Sequence, residues 1–161
     1  PGRDTVPTPL LTGKFLEQGA ALSPDGKWLA YSSNESGQFE VFVRPFPNTG
    51  SGRWQVSTRG GAAARWSRSG RELFFESTSN NDFMAVTIPP RAPFSPSEPP
   101  RLFSPGGVLL GSNIVPYYDL TPGDSGFMMV RLAAVNASPG AGQVVVVDNW
   151  FTELKTKMGT K

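Results

Sequence analysis

One short segment of this chain occurs three times, and its spacing limits the folds that the sequence can adopt. Ser23–Ser32 aligns without gaps with Ser67–Glu76, which begins 44 residues later. Thr121–Val130 is a third copy, 54 residues further on, and the Pro-rich stretch Pro89–Pro100 accounts for the longer interval. In each copy a hydroxyl residue and a glycine-containing turn lead into an apolar strand. A repeat of about 40–50 residues is typical of the four-stranded blades of a β-propeller.

Four short strands are predicted in each repeat, except that the third shows no obvious fourth strand. The chain contains 18 Gly and 16 Pro, a density of turn residues that fits short strands and excludes long helices. The predicted first strands are Gly19–Leu22, Ala62–Trp66 and Val115–Leu120. The second are Trp28–Ser33, Glu72–Ser77 and Phe127–Leu132, and the third are Phe39–Arg44, Phe83–Ile88 and Gln143–Asp148. The fourth are Trp54–Ser57 and Arg101–Ser104.

The sequence therefore predicts an all-β chain, a partial β-propeller of about three four-stranded antiparallel blades. The blades are expected at about 19–58, 62–104 and 115–148 within a single unit, 1–161. Residues 5–15 are interpreted as a leftover strand of a preceding blade, centred on Pro9–Leu11, and 150–157 as a short C-terminal helix. A β-sandwich whose turns match by coincidence is the alternative fold.

Turn chemistry and alternation assign structural roles to many repeat residues. Asp25 and Gly26 suit a two-residue hairpin turn, because Asp bonds nearby amides and Gly accepts a positive φ. The predicted turn residues are Ser23, Pro24, Asp25, Gly26, Ser69, Gly70, Pro122, Gly123 and Asp124. Alternate residues of the second strands share one face, which predicts blade-to-blade packing of Leu29, Tyr31, Leu73, Phe75, Phe127 and Met129. Trp66 is expected between two blades.

Composition and motifs favour a chain without catalysis of its own. There is no Cys and no His, so a thiol nucleophile and the commonest general base are absent. Gly123–Gly126 matches the sequence around a trypsin-type serine, but no His is present to accept its proton. The acidic residues Asp25, Asp82, Asp119 and Asp124 lack the spacing of a calcium loop and are interpreted as turn caps. We expect no cofactor, no metal site and no enzyme activity.

The charge pattern leaves one candidate binding surface. A net charge of +2 gives no phosphate-binding footprint, so nucleic-acid binding is not expected, and no apolar run is long enough to insert in a membrane. Arg59, Arg65, Arg68 and Arg71 gather in sequence around the start of the second repeat. We expect them either to rim one mouth of a propeller channel and meet an acidic ligand or partner, or to be solvated surface charge.

Several stretches resemble a known family. Ser23–Lys27 followed by Leu29–Tyr31 resembles the TolB-like, WD-type propeller repeat. Tyr31–Gly37, Glu40–Pro47 and the closing Asn149–Lys155 are similar to propellers found C-terminal to bacterial serine/threonine protein kinases. The resemblance implies a periplasmic or extracytoplasmic location and a kinase parent, although no kinase motif occurs in these residues.

Three functions follow as expectations. The first is a non-catalytic module that binds or senses a protein or small ligand through its loops. The second is an accessory propeller of a peptidase-type hydrolase whose catalytic domain lies elsewhere. The third is an assembly module: closed propellers have about 4–8 blades, so three blades leave open edges through which the chain can self-associate.

Overall fold

The strands form three separate antiparallel sheets, each a simple meander. The computed structural model describes residue 7 and residues 9–89, 99–105, 116–132 and 142–148, with the backbone alone for 131–132 and 142–148. The sheet orders are β1-β2-β3-β4, β5-β6-β7-β8 and β9-β10-β11, so the predicted all-β blade architecture is confirmed. The strands are β1 Glu17–Leu22, β2 Trp28–Ser33, β3 Glu40–Pro45, β4 Trp54–Gln55, β5 Ala62–Trp66, β6 Glu72–Glu76, β7 Phe83–Thr87, β8 Arg101–Phe103, β9 Tyr118–Leu120, β10 Gly126–Leu132 and β11 Gly142–Asp148.

Two of the predicted elements lie near the chain ends, one a strand and the other a helix. The predicted strand at Pro9–Leu11 is wrong, because none of the described residues before Glu17 belongs to a sheet. Instead the Leu10 carbonyl accepts a hydrogen bond from the Thr49 hydroxyl at 3.2 Å, and a strand cannot form without a neighbouring strand to pair with. The predicted helix at 150–157 lies outside the described residues. Within those residues, no helix is long and apolar enough to cross a bilayer.

The first two repeat turns have the same geometry, which differs from the predicted two-residue turn. Ser23 N–H donates to the Trp28 carbonyl at 2.8 Å, so four residues, 24–27, form the loop. Gly26 N–H donates to the Ser23 carbonyl at 2.9 Å, and Gly26 takes a φ of 69°. The Ser23 hydroxyl accepts from the Trp28 amide at 2.9 Å. A glycine with positive φ after a turn is the arrangement of longer hairpin loops, so the loop is longer than expected but the glycine role is confirmed.

The second turn repeats these bonds residue for residue. Ser67 N–H donates to the Glu72 carbonyl at 2.9 Å, Gly70 N–H donates to the Ser67 carbonyl at 2.9 Å, and Gly70 has a φ of 68°. The Ser67 hydroxyl accepts from the Glu72 amide at 3.0 Å. The ungapped sequence repeat therefore reflects one hydrogen-bonded turn used twice.

The third turn exchanges the order of Asp and Gly, and the exchange creates a contact between blades. Asp124 stands where Gly26 and Gly70 stand in the other copies, and it adopts a φ of 55°. Its side chain is buried, and its carboxylate accepts a 2.7 Å hydrogen bond from the Arg68 amide in the preceding turn. The first turn has Pro24 at the position of Arg68, and proline offers no amide. The third turn is thus a modified copy that joins blade 3 to blade 2.

This contact gives a direct prediction about stability. Asp124→Ala removes the acceptor of the part-buried Arg68 amide and leaves a non-glycine residue at positive φ, so the free energy of unfolding should fall by about 1–3 kcal/mol. Asp124→Asn keeps an acceptor and tolerates the same backbone conformation, so it should lose less. Urea denaturation of the two variants checks this, and equal losses would contradict the contact.

The core lies between blades and is divided in two. Between blades 1 and 2 it contains Leu73 and Phe75 from β6, with Ala30, Val41 and Val43 opposite them and Trp66 at the inner edge. The Trp66 indole N–H donates to the Ala21 carbonyl of β1 at 2.9 Å, which confirms its predicted place between blades. Between blades 2 and 3, Phe127 and Met129 pack on Phe74, Phe83 and Ala85. Blade 2 is therefore apolar on both faces.

The second strands share one face as predicted, but in blade 1 this face points away from blade 2. Leu73, Phe75, Phe127 and Met129 each point to the blade before them. Leu29 and Tyr31 occupy the equivalent positions of blade 1, so they point away from blade 2, and Tyr31 stacks on Phe42 with ring centroids 5.8 Å apart. The residue of β2 that faces blade 2 is Ala30. The six residues do share one face of their blades, but each pairs with the opposite face of its neighbour.

Candidate cavity between the first two blades

A polar cavity of about 480 Å³ lies between the end of blade 1 and the β6–β7 hairpin of blade 2. One wall is the linker from β4 to β5, Ser57–Gly60. The other is the hairpin between β6 and β7, and Phe75 and Met84 also line the cavity. Its remaining lining residues are Ser77, Ser79, Asn80, Asp82, Pro99, Pro100 and Arg101.

A buried carboxylate holds the linker wall in place. Glu40 is 1% exposed and begins β3. It accepts hydrogen bonds from the Ser57 hydroxyl and, at 2.9 Å, from the Gly60 amide. The Gln38 amide group donates to the same carboxylate at 2.6 Å, and the Ser57 oxygen accepts from the Val41 amide at 2.8 Å. A buried charge needs this degree of hydrogen bonding to be tolerated, so Glu40 fixes the path of the linker.

The opposite wall is held by an equivalent carboxylate in blade 2. Asp82 accepts hydrogen bonds from the Ser104 hydroxyl and, at 2.8 Å, from the Asn80 side-chain amide. The Arg101 guanidinium lies 3.8 Å from the same carboxylate. Phe42 of β3 pairs with Tyr31, and Met84 of β7 pairs with Phe75, which is the repeat equivalent of Tyr31. Glu40 and Asp82 each lie two residues before these paired residues, so they occupy equivalent positions. We call Glu40–Ser57 and Asp82–Ser104 the acid–serine pairs.

Sequence reasoning did not detect these pairs. It assigned Asp82 to a turn cap and ended the fourth strands at Ser57 and Ser104 without giving either serine a role. The signal that would have found them is an acid at the start of each third strand, combined with a serine just after each fourth strand. At the corresponding strand position of blade 3 the sequence has Gln143, whose backbone pairs with Arg131.

The linker approaches its neighbours so closely that two positions require glycine. Gly60 has a φ of 82°, and a Cβ built there would lie 2.1 Å from the Thr78 hydroxyl. At Gly61 a Cβ would lie 2.4 Å from the Ser57 hydroxyl, which belongs to the first acid–serine pair.

Gly60→Ala is accordingly expected to lower the free energy of unfolding. Positive φ in a non-glycine residue costs about 1–3 kcal/mol, and the contact with Thr78 adds to this. Gly50→Ala is the control, because its Cβ would meet nothing closer than Asn48 at 3.7 Å. Thermal unfolding of both variants should show a lower midpoint for the first alone; equal midpoints would contradict the described linker path.

The four predicted arginines do not form one cluster. Arg59 lines the cavity on the linker that precedes β5, and its side chain is exposed. Arg68 and Arg71 lie in the turn that follows β5, at the other end of that strand. Five strand residues span about 13–16 Å, so the two ends cannot rim one mouth. Arg65 lies within β5, where its buried Nε has no hydrogen-bond partner among the described residues.

The cavity is lined by charged, polar and apolar groups. Arg59 provides positive charge, whereas the charge of Arg101 faces the Asp82 carboxylate at 3.8 Å. The hairpin provides hydroxyl and amide groups, and Phe75 and Met84 provide apolar surface. In the described part of the chain, no three acidic side chains gather closely enough to hold a metal ion. The lining is therefore more polar than apolar.

Comparison with solved structures places this geometry in a known fold. TolB from Acinetobacter baumannii matches with a TM-score of 0.60 at 17% sequence identity. The fold is that of a TolB-like β-propeller. The match covers 86% of this chain but 31% of the TolB chain, so this chain spans about a third of that structure's length. At this identity the likeness concerns the fold alone.

The remaining comparisons add little. A putative 6-phosphogluconolactonase from Bacteroides uniformis matches with a TM-score of 0.45 at 17% identity, over 81% of this chain and 40% of the other. No family model matches the sequence, and no curated protein matches it. The predicted TolB-like fold is thus confirmed, whereas the resemblance to kinase-associated propellers stays a prediction.

Proposed function

We propose that this chain is a non-catalytic propeller segment that binds an acidic ligand, or an acidic side chain of a protein partner, in the cavity between blades 1 and 2. The observation that supports this most is the construction of the cavity. Its two walls are fixed by the acid–serine pairs Glu40–Ser57 and Asp82–Ser104, so the space is preorganised by the scaffold. Sites held by rigid strands lose little entropy when a ligand binds.

Arg59 is the residue that we assign to ligand recognition. It lies exposed on the linker, and Gly60 beside it is anchored to Glu40 at 2.9 Å. Arginine recognises carboxylate groups through paired N–H donors, and such charged hydrogen bonds contribute about 1.5–3 kcal/mol. The hydroxyl and amide groups of Ser79 and Asn80 on the opposite wall suit the polar remainder of such a ligand.

The wider setting is also proposed from resemblance. Tyr31–Gly37 and Asn149–Lys155 support a bacterial parent with a membrane-tethered serine/threonine kinase, in which this segment would sense its ligand outside the cytoplasm. The full-length sequence of the parent protein tests that setting. A kinase domain and a membrane helix upstream of this segment would support it, and a hydrolase domain downstream would favour the peptidase alternative.

The binding proposal is tested by NMR titration of the labelled chain with citrate and with a short glutamate peptide. Amide signals of Gly60 and Asn80 should shift in a saturable way with at least one probe. Arg59→Ala should weaken the affinity about tenfold, whereas Arg71→Ala, in the turn at the other end of β5, should leave it unchanged. Shifts confined to the Arg68–Arg71 turn, or no shift with either probe, would contradict the proposal.

A further inference from the structure

A second cavity, of about 330 Å³, lies against blade 1 on the side that faces away from blade 2. Residues 10–16, which we call the N-terminal segment, supply one of its walls. The charged side chains of Glu17, Glu35 and Arg44 supply the opposite wall. Among the described residues, none lines both this cavity and the Arg59 cavity, so each can be tested without the other.

Hydrogen bonds fix the N-terminal segment to blade 1 near both of its ends. The Leu16 amide donates to the Asn34 side-chain oxygen at 2.9 Å, and the Asn34 amide donates to the Leu16 carbonyl at 3.3 Å. At the other end, the Thr49 hydroxyl donates to the Leu10 carbonyl at 3.2 Å. The segment is therefore part of the fold, and the side chains of Leu10 and Phe15 give its wall apolar character.

One carboxylate oxygen of Glu35 is buried in the charged wall without a hydrogen-bond donor. Its other oxygen, Oε2, pairs with the Arg53 guanidinium. Oε1 is closed to solvent and has no hydrogen-bond partner in the part of the chain that the structure describes. The Glu35 side chain as a whole is only 12% exposed. Buried polar atoms in native proteins nearly all have partners, and a charged one without a partner is costly. A donor is therefore what this wall lacks.

Glu17 places a second carboxylate on the same wall. It begins β1, and burial raises the pKa of its carboxyl. The Arg44 guanidinium opposes this rise in pKa, and the negative charge of Glu35 adds to it. A Cβ built at Gly13 would lie 3.7 Å from Glu17 Oε1, so this carboxylate reaches the N-terminal segment. Two carboxylates within electrostatic range of each other thus border the cavity.

Arg44 is occupied by neutral oxygen atoms. Its Nε donates to the Tyr31 hydroxyl at 2.7 Å, and its Nη1 donates to the Thr49 carbonyl at 2.9 Å. The guanidinium carbon also lies 5.8 Å from the centre of the Tyr31 ring. These contacts hold Arg44 in place while Glu35 Oε1 stays without a donor. The cavity therefore combines an anchored cation with acceptors that remain open to a ligand.

We propose that this cavity binds an alkylammonium group, the chemistry shared by lysine side chains and free aliphatic amines, with its nitrogen donating to Glu35 and Glu17. An ammonium group carries three donors, which suits two carboxylates at once. Its apolar stem would pack on Leu10 and Phe15, which are 42% and 39% exposed. A metal ion fits less well, because no three acidic side chains gather among the described residues.

NMR titration of the labelled chain with pentylammonium is the first test. Amide signals of Leu16, Glu35 and Thr49 should shift in a saturable way, whereas 1-pentanol, which has the same stem and no charge, should give no saturable shift. Glu35→Gln should weaken the affinity about tenfold, since it removes a charged acceptor. Glu72→Gln makes the same substitution in blade 2 and should leave the affinity unchanged. Absence of saturable shifts, or equal shifts with 1-pentanol, would overturn the proposal.

The pKa of Glu17, followed by carboxyl ¹³C NMR, gives a readout that needs no variant. A cation beside a carboxylate favours its ionised form, so saturating pentylammonium should lower the pKa of Glu17. Asp119, exposed in blade 3, is the internal control, and its pKa should stay the same. An unchanged pKa of Glu17 in the saturated sample would mean that the amine binds elsewhere and would overturn the proposal.

N-acetyl-lysine amide separates the two sources of the ammonium group. Saturable shifts of the same amide signals with this probe would support a lysine of a protein partner as the occupant. Saturation by pentylammonium alone would support the site for free amines, because the flanking amides of a peptide would then be too large for about 330 Å³. Failure of either probe at this cavity leaves the proposed role of Arg59 standing, since the two sites share no lining residue among those described.

Discussion

Leu73→Asp should leave this chain without a cooperative folded state at room temperature. Leu73 is 0% exposed, and Val86 on the neighbouring strand β7 pairs with it inside the cluster between blades 1 and 2. Removing the apolar side chain costs about 1.5–3 kcal/mol, and burying an unpaired carboxylate there costs several kcal/mol more. A domain of this size has only about 5–15 kcal/mol of stability in total.

The measurement is the near-ultraviolet circular dichroism signal followed through thermal unfolding. Leu22→Asp makes the same substitution in a first strand at a leucine that is 48% exposed, and it should keep a cooperative transition. If Leu73→Asp melted at the same temperature as the parent chain, the packing of blade 2 on blade 1 would be wrong.

Glu40→Ala should produce the second largest loss, about 3 kcal/mol of unfolding free energy. The substitution leaves the Ser57 hydroxyl and the Gly60 amide buried without their acceptor, and each orphaned donor costs about 1–3 kcal/mol. Because Ser57 also accepts from the Val41 amide, the path of the linker should loosen as well. Arg59 on that linker would lose its fixed position, so ligand affinity should fall together with stability.

A double-mutant cycle isolates this acid–serine pair. Glu40→Gln and Ser57→Ala, singly and together, should give a coupling energy of about 1–3 kcal/mol by urea denaturation, since contacting residues are not additive. The Asp82 and Ser104 positions provide the repeat-equivalent cycle, which should couple in the same sense. Additive effects within about 0.3 kcal/mol would mean that the pair does not act as a unit.

Local features of this fold could be predicted from the sequence because they depend on neighbouring residues. The turn at Ser23–Gly26 and its copy at Ser67–Gly70 form almost the same hydrogen bonds, so similarity of residues was a reliable sign of similarity of backbone. The alternation in β6 correctly placed Leu73 and Phe75 on one face. The longer loop of four residues was missed, because Asp-Gly also suits a two-residue turn.

Features that depend on distant partners could not be predicted in this way. Pro9–Leu11 has the composition of a strand, but a strand exists only where another strand pairs with it. Asp124 was interpreted only as a turn cap, because its partner, the Arg68 amide, belongs to another blade. The arginines looked like one cluster because sequence distance ignores the length of β5, which places Arg59 and Arg68 at opposite ends. The acid–serine pair Glu40–Ser57 joins residues 17 apart, so it becomes visible only when the third and fourth strands of the two repeats are compared with each other.

In this fold three sheets stack face to face in chain order, blade 1 on blade 2 and blade 2 on blade 3. Nuclear Overhauser spectroscopy of the aromatic and methyl groups tests it most directly. The stacked arrangement predicts cross-peaks between the rings of Phe74 and Phe127 and between the Trp66 indole N–H and β1 around Ala21. Cross-peaks joining Tyr31 of blade 1 to Phe127 within a monomeric sample, with the Phe74–Phe127 peaks absent, would instead show a sandwich of the outer sheets and would contradict the blade order.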